Sequence, residues 1–396
     1  MAKPEIRLKG FDGEWKECPF HVVAKPYFVS NKYAHHQNLL SLSYGKVKRK
    51  DINTGKGLLP ASFDTYQIIK DGIIVFRFTD LQNDKKSLRV GLAKEEGIIS
   101  PAYVCVECEN ISPEFLFLQL YSYDLRKVFY SMGDGLRQTL SYNDVKDMPI
   151  YVPSDKEQKF IIEYYNSIES EILSEESKLA SLKQVKQACL VSMFPQAGET
   201  TPRVRFKGFE GEWEDVSFKD ISYLAGTKNR DNLLLESYSI SNEFGFIPQN
   251  EQFENGGTMS NADKRMYYIV TPDSFAYNPA RINVGSIGYD DLNKDVIVSS
   301  LYVVFKTDDN THNPFLNYWF KTPMFKKMIE LYQEGGVRLY FFYDKLCSCH
   351  FRRPSLKEQQ RIASYFRSLD KQISLQEKRL EKLKQIKAAC LDKMFV

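Results

Sequence analysis

A chain of 396 residues with 43% hydrophobic and 14% aromatic side chains can fill two or three cores, which excludes the disordered and low-complexity classes. With 54 Lys and Arg against 51 Asp and Glu, the net charge of +3 excludes a surface coated uniformly in positive charge, so any nucleic-acid face must be local. No apolar run reaches the ~18 residues of a membrane span and the opening MAKPEIRLKGF has no hydrophobic signal core, so a cytoplasmic chain with 7 reduced cysteines is expected.

Residues 1–152 read as an α/β globule. It opens on Pro4-Glu-Ile-Arg-Leu-Lys-Gly-Phe-Asp-Gly-Glu-Trp15. Strand-like runs cover Gly72–Phe78 and Ala102–Val106, and a helix is predicted over Pro113–Tyr130. The densest positive run is Lys46, Lys48, Arg49 and Lys50, followed by Arg77 and by Lys85, Lys86 and Arg89. Cys105-Val-Glu-Cys108 has zinc-like spacing but no second pair, and buried or idle thiols are the better reading. Gly135-Leu-Arg137 closes the globule as either a structural turn capping the preceding helix or a phosphate clamp.

Residues 153–200 change character. Pro153-Ser154 with Glu157 fits a capping box, and no Pro or Gly follows until Pro195. Ile161, Tyr165, Ile168, Ile172, Leu179, Leu182, Cys189 and Met193 form a heptad seam interrupted at Glu175 and Lys186. Roughly 38 residues at ~1.5 Å rise make a rod on the order of 57 Å long.

Residues 201–352 then repeat the plan. Pro202-Arg-Val-Arg-Phe-Lys-Gly-Phe-Glu-Gly-Glu-Trp213 copies the opening at an offset of 198. A second helix is predicted over Pro314–Tyr332. The basic and amide candidates are Lys228, Arg230, Lys264, Arg265, Asn278, Arg281 and Asn283, and Gly336-Val-Arg338 echoes the earlier Gly-x-Arg. Lys and Arg neutralise phosphates, while Arg and Asn can read base edges in pairs of hydrogen bonds. Residues 353–396 form the distal rod, with 20 of 42 positions identical between Pro153–Phe194 and Pro354–Phe395. Its seam is interrupted at Gln376 and Lys387. Antiparallel pairing of the rods about a pseudo-twofold axis places Lys186 near Asp370 and Lys387 near Glu169.

Catalytic apparatus is missing from the sequence. Thr54-Gly-Lys-Gly57 lacks the phosphate-loop spacing, and Asn278-Pro-Ala-Arg281 lacks the second proline and aromatic of an adenine methyltransferase motif. The histidines are dispersed apart from His35-His36.

The two dissimilar globules, the repeated Lys-Gly-Phe-Asp/Glu-Gly-Glu-Trp openings and the Pro-Ser-x-Lys-Glu-Gln helix heads together resemble the specificity subunit of Type I restriction-modification systems. The resemblance covers the whole chain. It implies an α+β fold of two pseudo-repeated α/β target recognition domains (1–152 and 201–352), separated by two long antiparallel coiled-coil helices. It implies a subunit without catalysis, each domain reading one half of a bipartite asymmetric DNA target. The helices would set the spacer and dock two methyltransferase subunits, with Pro153, Glu157, Gln158, Pro354, Glu358 and Gln359 as docking candidates. Two motor-nuclease subunits complete the implied assembly on double-stranded DNA, away from any membrane. Adenosylmethionine, ATP and magnesium would be bound by those partners and not by this chain. The competing reading is a coiled-coil adaptor with two protein-binding domains and no DNA role.

Overall fold

In the computed structural model, which describes residues 3–33, 36–50, 62–79, 81, 88–132, 139–242, 245–252 and 263–396, the apolar runs of the first globule become short strands. These are β1 (Lys16–Pro19), β2 (Ala24–Pro26), β3 (Leu40–Ser43), β4 (Lys46–Arg49), β5 (Gln67–Ile69), β6 (Ile74–Phe76), β7 (Val90–Leu92), β8 (Gly97–Ile99), β9 (Val104–Cys108) and β10 (Pro149–Val152). Helices α1 (Phe20–Val23), α2 (Pro113–Leu125) and α3 (Tyr142–Val145) lie among them, and α4 (Asp155–Ser192) follows. The second half supplies β11 (Glu214–Ser217), β12 (Ser222–Leu224), β13 (Thr227–Lys228), β14 (Ser237–Ser241), β15 (Gly245–Pro248), β16 (Tyr268–Val270), β17 (Phe275–Tyr277), β18 (Ile287–Tyr289), β19 (Val296–Val298), β20 (Val303–Thr307) and β21 (His350–Arg353). Its helices are α5 (Phe218–Ile221), α6 (Gln249–Gln252), α7 (Asn313–Trp319), α8 (Pro323–Tyr332), α9 (Tyr343–Cys347) and α10 (Leu356–Lys393). The fold class is α+β.

The chain divides into two compact units, Met1–Glu176 with Lys378–Val396 and Ser177–Glu377. Sheet order is the same in both. The first unit has an antiparallel β2-β9-β6-β7 sheet and the second an antiparallel β12-β20-β17-β18 sheet. A second layer in the second unit runs β13-β16-β19-β14-β15, with β14 parallel to β19. The first unit matches it in pieces: β5-β8 and β3-β4 are joined by a parallel bridge between Leu39 and Ile98, and Ser30 bridges to Gln67 where β13 would stand. Two globules with little sequence in common therefore share one topology. Strands β6 and β19 are buried along their whole length, which is why they read as unbroken apolar runs.

Both helices predicted within the globules are interrupted. α2 starts as expected, with Ser112 accepting from the Phe115 N–H and Pro113 in the first turn. It ends at Leu125, because Lys127 adopts a left-handed conformation (φ 61°) before a 3-10 turn over Val128–Ser131. The stretch predicted as Pro314–Tyr332 is two helices. Pro323 cannot donate to the preceding turn, so it opens α8 with Thr322 as its cap. The Ser154 cap of α4 is half a capping box: the Glu157 N–H reaches Ser154 Oγ at 3.4 Å, while the Glu157 carboxylate is committed elsewhere.

The core of each unit takes in the tip of a long helix. In the first unit Trp15, Phe115 and Phe395 meet with ring centroids 5.7–6.3 Å apart, and Leu391 and Met394 are buried beside them. In the second, Trp213, Phe315 and Phe194 repeat the cluster at 5.3–6.4 Å, with Leu190 and Met193. The repeated tryptophan and the repeated Met-Phe pair are thus partners in one aromatic contact, each ring contributing ~1.5–3 kcal/mol through burial.

Within each unit, the segments of α4 and α10 run antiparallel. In the first unit Glu169 pairs with Lys387, and Glu176 with Lys384 at 2.8 Å. In the second, Lys186 meets Asp370 at 2.5 Å and Lys183 meets Glu377 at 2.7 Å. Both lysine pairs expected from the antiparallel register are formed. Burial pushes the Glu169 carboxyl up, but the Lys387 hydrogen bond and charge outweigh it, and Glu169 sits below the usual carboxylate range.

Candidate nucleic-acid interface

The six docking candidates at the heads of the long helices are not surface residues. Pro153, Glu157, Gln158, Pro354, Glu358 and Gln359 are all buried. The Glu157 carboxylate receives both Nε and Nη2 of Arg7 at 2.7 Å, and Trp15 Nε1 at 3.3 Å. Glu358 receives the equivalent fork from Arg205 at 2.7 and 2.8 Å. Gln158 accepts from the Ser112 N–H and donates to the Pro153 carbonyl; Gln359 accepts from the His312 N–H and donates to Asn310 and Pro354. A planar guanidinium matched to a buried carboxylate satisfies both charges, so these residues latch each globule to its helix. Their docking role is corrected accordingly.

In the first unit, Lys46, Lys48 and Arg49 lie exposed along β4, turned back on β3 through Tyr44 (φ 49°) and Gly45 (φ 74°). Two consecutive positive φ values fit a tight hairpin turn. Arg49 is bound to Glu95 at 2.5 Å, which compensates part of that charge, and Lys50 is half-buried with its N–H on the Leu39 carbonyl. Arg77, just after β6, is half-buried. Arg89 is fully buried and donates to the Thr79 carbonyl at 3.0 Å and to Tyr130 Oη at 3.3 Å. Asp124 accepts its backbone N–H and that of Val90 at 3.2 Å. Arg89 is therefore a structural arginine and is withdrawn as a DNA contact. Lys85, Lys86, Arg137 and the Thr54–Gly57 segment lie outside the described residues. Burial pushes the thiols of Cys105 and Cys108 up to about 12. Among the described residues no group of three or more His, Cys, Asp or Glu is placed to hold a metal.

In the second unit Lys228 sits 3.6 Å from the Tyr268 ring centroid and donates to the Met266 carbonyl, while Arg230 and Arg265 are exposed and Lys264 is half-buried. The densest gathering of candidates is elsewhere. Asn278, Arg281 and Arg338 line one cleft of about 630 Å³ together with Ser300, Leu301, Tyr340 and Phe342. Asn283 is exposed and lines a different hollow. The cleft is held by backbone bonds. The Phe341 N–H reaches the Pro279 carbonyl at 3.0 Å, and Glu334 and Tyr340 exchange hydrogen bonds at 2.8 and 2.9 Å. Gly335 turns this segment at φ 133°, where a Cβ would collide with the Arg338 carbonyl.

Two members were not singled out from the sequence. Tyr340 and Phe342 stack with centroids 5.4 Å apart and planes within 2°, while Phe341 between them is fully buried. In the sequence Leu339-Tyr-Phe-Phe342 is an unbroken apolar run, so nothing there marks which rings are exposed. Arg338 is exposed on the cleft rim and caps no helix. Stacked aromatic faces beside two exposed guanidiniums suit nucleotides: the rings can hold a base, worth ~1–3 kcal/mol, and the arginines can meet phosphate or guanine. No helix of the described chain is long and apolar enough to cross a membrane.

Residues 210–385 match the family model for the Type I restriction modification DNA specificity domain. No curated protein sequence matches the chain. Among solved structures, the Type I restriction-modification S subunit from M. genitalium is 12% identical with a TM-score of 0.55, covering 100% of this chain and 99% of its own. The HsdS subunit from Thermoanaerobacter tengcongensis is 16% identical with a TM-score of 0.50 and 97% coverage of both. A chain from a study of complex assembly and conformational transition of the type I R-M system is 17% identical at TM-score 0.55, covering 97% of this chain and 98% of its own. At these identities the likeness is one of fold.

Proposed function

We propose that the chain is a specificity subunit of a Type I restriction-modification system, on the match of residues 210–385 to the DNA specificity domain of that family, and that each globule reads one half of a split DNA target. The subunit selects sequence and performs no chemistry itself. The single observation that carries the reading is the cleft of Asn278, Arg281, Arg338, Tyr340 and Phe342, which lies wholly inside the family-matched segment. The same order of the four-stranded sheet in both units supports assigning the same task to both globules.

In this reading α4 and α10, each 38 residues long, fix the gap between half-sites and form the dock for two methyltransferase subunits. Exposed apolar side chains on them, Phe160, Tyr164 and Leu173 on α4 and Leu375 and Ile386 on α10, suit a protein partner better than the buried helix heads do. Two motor-nuclease subunits complete the assembly in the cytoplasm, and adenosylmethionine, ATP and magnesium belong to the partners.

The test is duplex binding by the chain assembled with its modification subunits, measured across a salt series. Specific affinity should fall steeply with salt, and Arg281→Ala with Arg338→Ala should flatten the slope by about one for each phosphate that is no longer neutralised. Unchanged affinity and slope in the double variant would remove the cleft from the interface.

A further inference from the structure

Equivalent backbone positions in the two units carry different side chains, an arginine and an asparagine, of the kinds able to pair with base edges. Arg77 directly follows β6, and its N–H bonds to the carbonyl of Arg89, which directly precedes β7, at 2.8 Å. Asn278 directly follows β17, and its N–H bonds to the carbonyl of Ser286, which directly precedes β18, at 3.1 Å. Strands β6-β7 and β17-β18 are corresponding edges of sheets with the same order, so Arg77 and Asn278 occupy one site of the shared fold.

Neither side chain is consumed by the structure around it. Arg77 is half-buried, and none of the described contacts holds its guanidinium. Asn278 lines the cleft, and its Oδ1 accepts the Ala280 N–H at 3.0 Å, which leaves the capacity for one further accepted bond and two donated ones. An arginine fork complements the two acceptors of guanine, N7 and O6. An asparagine amide complements the acceptor and donor of adenine, N7 and N6. We propose that this shared position reads one base in each half-site, a guanine through Arg77 and an adenine through Asn278. The proposal rests on the reading of the globules as DNA-recognition domains and adds to it which base one residue selects.

The test co-expresses the full chain with its modification subunit and maps methylated adenines in genomic DNA for wild type, Asn278→Arg, Arg77→Asn and the two alanine variants. Asn278→Arg should convert one adenine of one half-site to guanine, and Arg77→Asn should do the reverse in the other half-site. Each alanine variant should leave that single position degenerate. The expected preference between the two bases is about ten- to a hundredfold. Variants that methylate the wild-type motif unchanged would overturn the proposal. So would loss of assembly in every variant, alanine included, which would assign the position to structure. Absence of a bipartite motif in the wild type would instead overturn the recognition role itself, a result distinct from either.

Discussion

Arg205 and Glu358 show how much depends on one side chain whose partner is far away in sequence. The carboxylate is 1% exposed and the guanidinium 18%, so removing the arginine strands a buried charge. Arg205→Ala should cost about 3–5 kcal/mol in urea denaturation, and adding Glu358→Gln should recover part of it. Asp124 is a second case. Burial raises its pKa from 3.8 to about 6, against the Arg89 and Val90 N–H groups and the charges of Lys127 and Arg89, which lower it. Because the folded protein holds this proton more tightly than the unfolded chain, its contribution is favourable below about pH 4 and is lost as pH rises through about 6. The loss is at most about 3 kcal/mol. Asp124→Asn should therefore be more stable than wild type at about pH 8, and the difference should close by about pH 4 when melting is followed across that range. Both residues also mark where the sequence is opaque. Glu157 and Glu358 read as docking candidates because Arg7 and Arg205, which occupy them, stand about 150 positions away. Arg89 read as a surface cation because nothing local announces Asp124.

At the scale of elements, the long helices were the most legible part of the chain. Their seam recurs by three and four, their heads and ends repeat, and the offset of 201 relates Lys186 to Lys387. The lysine–carboxylate pairs followed from that register alone. Both pairs are a fifth to a third exposed, so their net worth is small. Lys186→Met should shift stability by less than ~1 kcal/mol, whereas Lys186→Glu against Asp370 should lower the melting temperature measurably more. A larger drop from Lys186→Met would show that the pair matters beyond its surface value. Shorter elements were legible in kind and not in extent. Strand runs were found a residue or two from where they formed, and the helix over Pro314–Tyr332 was broken by Pro323, whose backbone cannot donate inside a helix. The candidate cleft was half visible: Asn278, Arg281 and Arg338 stood out by residue type. Tyr340 and Phe342 did not, because their exposure depends on a turn at Gly335.

At the scale of the whole molecule, the proposed division of labour predicts separable effects. Inserting about seven residues, roughly two helical turns, into both long helices should change the tolerated gap between half-sites in methylation maps and leave the half-sites themselves unaltered. An unchanged gap would deny the helices a measuring role. Removing residues 378–396 should act differently. It strips Leu391, Met394 and Phe395 from the core that surrounds Trp15 and Phe115. Phe395→Ala alone should cost about 3–5 kcal/mol there, read as earlier proteolysis within residues 1–152 than within residues 201–352.

That stitched core also bears on how the protein comes into being. A ribosome releases residues 1–176 long before it makes Met394 and Phe395, which those residues need to close their interior. The globule synthesised first is therefore the one completed last, after some two hundred further residues have emerged. The second globule has the Met193–Phe194 tip in hand before its own strands appear. During synthesis the two halves are unequal in a way the finished fold conceals, and the first of them must wait with its aromatic pocket uncapped.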